Sequence, residues 1–190
     1  MILVIDHKDS FTGNLVHLLA NFGEVQALQA PANKDCLGQG IHALVLSPGP
    51  GHPKDYPETL ELYHAAKAQE LPILGICLGF QLILHAEGAE IIRQSQVLHG
   101  VQTPVITVPG ARTYRGLPKN LPAGRYHSLQ ANAQSFPKHI RTTAWDEAGK
   151  IPLSFEMESF PWVTGLQYHP DSFLTPQGQD ILRNCFPWTT

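Results

Sequence analysis

Charge is scarce in this chain: Asp, Glu, Lys and Arg make up only 15% of it, and the formal net charge is −3. A balance so close to neutral gives no basis for a nucleic-acid or anionic-membrane partner. Cysteine is scarcer still. Cys36, Cys77 and Cys185 form an odd, sparse set, which argues against a disulfide framework and for a reducing, cytoplasmic setting. No apolar run approaches the length of a membrane-spanning helix. The opening residues MILVIDHKDS lack the basic region and long apolar segment of a secretory signal. Internal repeats, low-complexity tracts and a convincing linker are also missing. These absences leave one globular domain over residues 1–190, with 43% hydrophobic residues to build its core.

The first half alternates strand and helix signals. ILVID (2–6), EVQAL (24–28), ALVLS (43–47) and PILGI (72–76) read as strands. ILVID is a continuous apolar run, as expected of a strand buried on both faces. Between them, a segment with Leu15, Leu18, Leu19 and Phe22 follows the capping pair DS (9–10), and TLELYHAAKAQ (59–69) is also helical. LGFQLILHAE (78–87) is a third helix, with Gly88 placed to end it. The second half turns to short β-like pieces at 101–108, 140–145, 151–156 and 162–169, then a final helix near 176–185. The fold class expected is α/β: a mostly parallel central sheet flanked by helices, with a smaller antiparallel β addition.

The segment GICLGFQ (75–81) carries the most chemistry. A cysteine bracketed by glycines, between a buried strand and a helix, has the layout of a nucleophile elbow. Such an elbow stands at the carboxyl end of the sheet, where open α/β sheets place their sites. The helix beginning at Leu78 turns unpaired N–H groups toward the sulfur and favours thiolate. An isolated cysteine in a strand is more often a small core residue, so a base is needed to raise the reading. YHPDS (168–172) supplies one: His169 leaves a strand-like segment, and Asp171 stands where it can orient the imidazole. SPGPG (47–51) crowds glycines after another buried strand. The N–H of Gly51 with that of Leu78 would form an oxyanion hole. Gln81 lies one helical turn after Cys77 on the same face.

DSFTGNL (9–15), LSPGPG (46–51), GICLGFQ (75–81), HG (99–100), RYHSL (125–129) and YHPDS (168–172) occur in the order seen in class I glutamine amidotransferases, which the chain resembles over nearly its whole length. DSFT and RYHSL narrow the resemblance to the glutaminase subunits of chorismate-using synthases, which make anthranilate or aminodeoxychorismate. The resemblance implies that Cys77 attacks the side-chain amide of glutamine, with His169 moving the proton and Asp171 supporting it. It also implies glutamine contacts from Gly49, Pro50, Gly51, Leu78, Gln81, Ser128 and Leu129. Ammonia would pass to a larger synthase subunit, and this subunit would need no metal or organic cofactor. Two positions depart from the family pattern: Phe80, where histidine is usual, and Asp171, where glutamate is usual. A stand-alone γ-glutamyl thiol hydrolase and a weakly active regulatory relative are the competing expectations. His127 is expected to position its loop, and Cys36 and Cys185 to be structural or surface residues.

Overall fold

A computed structural model describes residues 1–160 and 162–186. Five parallel strands form one half of a nine-stranded sheet. They are β1 (Ile2–Asp6), β2 (Val25–Gln29), β3 (Ala43–Leu46), β4 (Ile73–Ile76) and β11 (Val163–Leu166). Antiparallel strands β6 (Val101–Thr107), β7 (Asn120–Arg125), β9 (Ile140–Asp146) and β10 (Pro152–Met157) complete it, in the order β2-β1-β3-β4-β11-β10-β9-β6-β7. Strands β5 (Ile91–Arg93) and β8 (Leu129–Ala131) pair antiparallel in a small second sheet. The expected α/β class with an antiparallel addition is what is found.

Composition explains the layout. Ile2 to Ile5, Ala43 to Leu46 and Ile73 to Ile76 are buried without alternation, because helices cover both faces of these central strands. Along β1, Ile2 and Val4 face a core closed by Leu15 and Leu19 of α1 (Thr12–Leu19) and by Ile181 and Leu182 of α4 (Gly178–Cys185). Leu3 and Ile5 face the other core, with Leu62 and Tyr63 of α2 (Pro57–Ala68) and Phe80 of α3 (Leu78–Ala86). Seven of the nine α3 residues are buried, so this helix carries no polar stripe. Among the described residues, no helix is long and apolar enough to cross a membrane.

Three strands escape a pattern reading. β7 has the sequence NLPAGR, where proline and glycine obscure the alternation, and β5 and β8 are three residues each. The late segment 162–169 shortens to β11, which returns to the parallel half beside β4 rather than joining the antiparallel strands alone. Asp9 does not cap α1 directly: its Oδ1 accepts from the Phe11 N–H at 2.7 Å, one residue before the helix begins.

Candidate active site

Strands β3, β4 and β11 end together, and the site is built on those ends. Ile76 pairs with Leu166, and the Cys77 N–H donates to the Leu166 carbonyl at 2.8 Å. Cys77 therefore leaves β4 beside the chain that carries His169. It holds φ 52° and ψ −98°, a strained backbone for a residue with a side chain, at a cost of about 1–3 kcal/mol. The bracket glycines serve a different need. A Cβ on Gly79 would lie 2.1 Å from the Leu46 carbonyl oxygen, and one on Gly75 would lie 2.3 Å from that of Gly79. The first turn of α3 thus packs directly on the strand backbones, and the bend itself falls on the cysteine.

The 47–51 loop is held against this elbow. A Cβ on Gly49 would meet the Leu78 side chain at 2.9 Å and the His7 Cβ at 2.5 Å. His7 anchors the loop: its N–H donates to Ser47 Oγ at 2.9 Å, and its ring lies 3.2 Å from both Ser47 Oγ and Thr59 Oγ1. Tyr56 donates its hydroxyl to the Pro50 carbonyl at 2.8 Å, and Gly51 stands exposed with φ 80°. Burial holds His7 neutral, its pKa lowered to about 4.

His169 is 1% exposed and Asp171 is 7% exposed. His169 Nδ1 faces Asp171 Oδ1 at 3.7 Å, too far for a hydrogen bond. Among the described residues, neither ring nitrogen and neither carboxylate oxygen has a hydrogen-bond partner. Burial lowers His169 to about 4 and raises Asp171 to about 7. Cys77 is pushed up to about 12, first by burial, then by the nearby charge of Asp9, with Asp171 adding to it. The Leu78 N–H pulls in the expected direction, downward, but burial outweighs it. At neutral pH the resting pair is a thiol and a neutral imidazole.

Two aromatic rings close over the histidine. Phe11 and Tyr126 lie 5.4 Å and 4.9 Å from the His169 ring and 4.9 Å from each other, and His99 packs edge-on against Tyr126 at 5.9 Å. Tyr126 is fixed by a 3.0 Å hydrogen bond with Ser172. The sequence singled out DSFT, HG and RYHSL without assigning Asp9, Phe11, His99 or Tyr126 to the site. Their lone signal was membership of those short motifs, because the contacts join residues 27 to 158 positions apart.

Further positions are engaged internally. Gln81 donates its amide to the Leu129 carbonyl at 3.2 Å and to Gln167 Oε1 at 3.1 Å. The Ser128 carbonyl accepts from the Gln94 N–H at 2.8 Å, and the Ser128 side chain is exposed. His127 accepts from Arg125 Nε at 3.0 Å on Nε2 and so donates from Nδ1 to Leu129, at 2.9 Å. Burial lowers it to about 3, so it positions its loop and is unsuited to be a base. Phe80 is fully buried, 5.4 Å from Phe155, in the core opposite Cys77. Cys36 and Cys185 are free, half-buried and buried respectively. No group of three or more His, Cys, Asp or Glu among the described residues could hold a metal ion.

Comparison with known proteins gives this geometry its context. The family described as Glutamine amidotransferase class-I matches residues 3–187. Anthranilate synthase component 2 of Pseudomonas aeruginosa is 38% identical over 193 residues, covering 97% of this chain and 94% of that protein. Aminodeoxychorismate synthase component 2 of Escherichia coli is 37% identical over 188 residues, covering 97% and 98%. A solved glutamine amidotransferase from Thermotoga maritima shares the fold, with a TM-score of 0.70 at 19% identity over 90% of this chain and 75% of that one. An elbow cysteine beside the strand that leads to His169, and near-complete coverage of such relatives, converge on one statement: the chain belongs to the class I glutamine amidotransferase family.

Proposed function

We propose that the chain hydrolyses L-glutamine through a Cys77 thioester and delivers the ammonia to a chorismate-using synthase subunit. The observation that carries the reading is the elbow: Cys77, at positive φ, is set on the strand end next to the segment bearing His169 and Asp171. Nδ1 of His169 faces the carboxylate, which leaves Nε2 for the thiol. The thiol proton passes to Nε2 as sulfur adds to the amide carbon of glutamine. The Gly51 and Leu78 N–H groups receive the developing oxyanion. Collapse expels the amide nitrogen, which takes the proton from His169 and leaves as ammonia. Water, deprotonated by the same imidazole, then cleaves the thioester to glutamate.

Glutamine binding falls to Gly49, Pro50 and Gly51 of the loop, with Gln81, Ser128 and Leu129 across the elbow. Thiol and imidazole suffice for each step without a metal or organic cofactor. A nucleophilic thiol suits the reducing cytoplasm. Full-length similarity to components 2 of two synthases supports the heteromeric partner, and anthranilate or aminodeoxychorismate as the product made there.

The test is co-purification with each candidate synthase subunit, then product analysis with glutamine as sole nitrogen donor. Stable association with glutamine-dependent product is expected from one of them. Cys77→Ser should abolish that product while ammonia-dependent synthesis persists. Glutaminase activity indifferent to either subunit would instead identify a stand-alone hydrolase.

A further inference from the structure

Asp9 has no part in the steps assigned to Cys77, His169 and Asp171, yet it stands beside them. Two residues before it, His7 closes on Gly49, where a Cβ would lie 2.5 Å from the His7 Cβ and 2.9 Å from the Leu78 side chain. Two residues after it, the Phe11 ring lies 5.4 Å from that of His169. The chain at Asp9 therefore runs from the Gly49 loop to the base. The charges agree with this placement. The Asp9 charge bears on Cys77 more strongly than the Asp171 charge does, and it bears on Asp171 as well.

The two carboxylate oxygens are used unequally. Oδ1 accepts from the Phe11 N–H at 2.7 Å, which fixes the group in place. Oδ2 accepts no hydrogen bond among the described residues and is not sealed from solvent. Asp9 is half-buried, burial raises its pKa, and among the described residues no Lys, Arg or His forms an ion pair with it. A carboxylate so placed has lost part of its hydration without gaining a cation. It also works against the nucleophile, because a negative charge beside a thiol disfavours the thiolate. A cation on Oδ2 relieves both penalties, and glutamine carries one cation, its α-ammonium. We infer that Asp9 is the contact for the α-ammonium of the substrate, so that the bound amino acid itself supplies the positive charge missing beside Cys77. This role rests on glutamine hydrolysis at Cys77 and narrows it: the site selects an α-amino acid amide over an amide without the amino group, and its thiol gains reactivity as that amino acid binds.

The test compares the full chain with Asp9→Asn and Asp9→Ser, two neutral variants whose side-chain oxygen can still accept from the Phe11 N–H. In a first readout, Cys77 is alkylated with 2-bromoethylammonium or with iodoacetamide, and the Cys77 peptide is quantified by mass spectrometry. The rate ratio of the cationic to the neutral reagent should fall about tenfold in both variants. In a second, hydrolysis of glutamine is set against that of glutaric acid monoamide, which is glutamine without its amino group. For glutamine, kcat/KM should fall about tenfold, mostly through KM, while for the monoamide it holds or rises. An unchanged reagent ratio overturns the assignment, and so does an equal loss on both amides, the mark of a merely structural residue. A parent inert toward glutamine with either synthase subunit would sink the glutaminase reading instead. The reagent ratio alone then supports or overturns Asp9 as the cation contact at the thiol.

Discussion

Asp171→Glu should make this protein a faster glutaminase. The His169–Asp171 separation is 3.7 Å, against about 2.8 Å for a charge-assisted hydrogen bond, a shortfall of about 0.9 Å. One added methylene extends the carboxylate by about 1.5 Å, enough to close it. At 3.7 Å the carboxylate already acts on the imidazolium through its charge. We therefore count only the directional gain, about 1–2 kcal/mol of the 1.5–3 that a hydrogen bond to a charged group brings. At about 1.4 kcal/mol per tenfold, kcat should rise about 5- to 30-fold. KM should change little, because the bond strengthens only as His169 takes the thiol proton. The added carbon enters a buried position, and overpacking costs about 1–3 kcal/mol. The Asp171 side chain is fully buried, so the melting temperature should fall by about 2–12 °C. The assay is glutamate release under saturating glutamine, with and without the synthase subunit. A folded variant whose kcat is unchanged or lower would refute the reasoning, showing that the carboxylate gap does not limit proton transfer.

Because burial raises Asp171 to about 7, its carboxyl is neutral below that pH and cannot support an imidazolium. Glutaminase activity should climb with a single proton lost near pH 7, and Asp171→Asn should be slow and lack that rise; a parent profile flat from about pH 6 to 8 counts against it. Stability should fall in acid. His7, His127 and His169 are held neutral, at about 4, 3 and 4, so their contribution is present above the unfolded value of about 6.5 and lost as pH falls through the window. Asp171, raised when folded, works the other way below pH 7, leaving about two protons taken up on unfolding near pH 5. Urea titrations should show about 2–3 kcal/mol lost per pH unit from about 6 to 4.5; stability that holds or rises would contradict the neutral histidines. Phe80→His should cost about 2–4 kcal/mol by exchanging a buried ring on Phe155 for a polar one. Its kcat should stay within about threefold of the parent, and a tenfold gain without loss of stability would mean that position 80 serves the site.

Strand ends and turns explain why so much of the molecule was legible. Continuous apolar runs at 2–5, 43–46 and 73–76 can be satisfied only by burial on both faces, so the parallel half follows from pattern. β7 did not, because Pro122 and Gly124 are tolerated there by neighbours that lie far along the chain. The elbow was legible for the same reason as the sheet: its meaning resides in seven consecutive residues. Which residue bears the strain was not. Gly75 and Gly79 announce a bend, yet Cys77 takes the positive φ, and the glycines are demanded by the backbones of β3 and α3.

By itself the sequence determined the architecture and marked Cys77, His169, Asp171 and the 47–51 loop as candidates for the site, since each lies in a local pattern near a strand end. Only the tertiary structure decided the state of that machinery. It buries Cys77 and His169, closes Phe11 and Tyr126 over the histidine, raises the thiol pKa against the pull of the Leu78 N–H, and holds Asp171 beyond hydrogen-bond reach. It also set Phe80 in the core opposite Cys77. Desolvation and distances of a few tenths of an ångström depend on everything packed around a group, and no stretch of neighbouring residues encodes them alone.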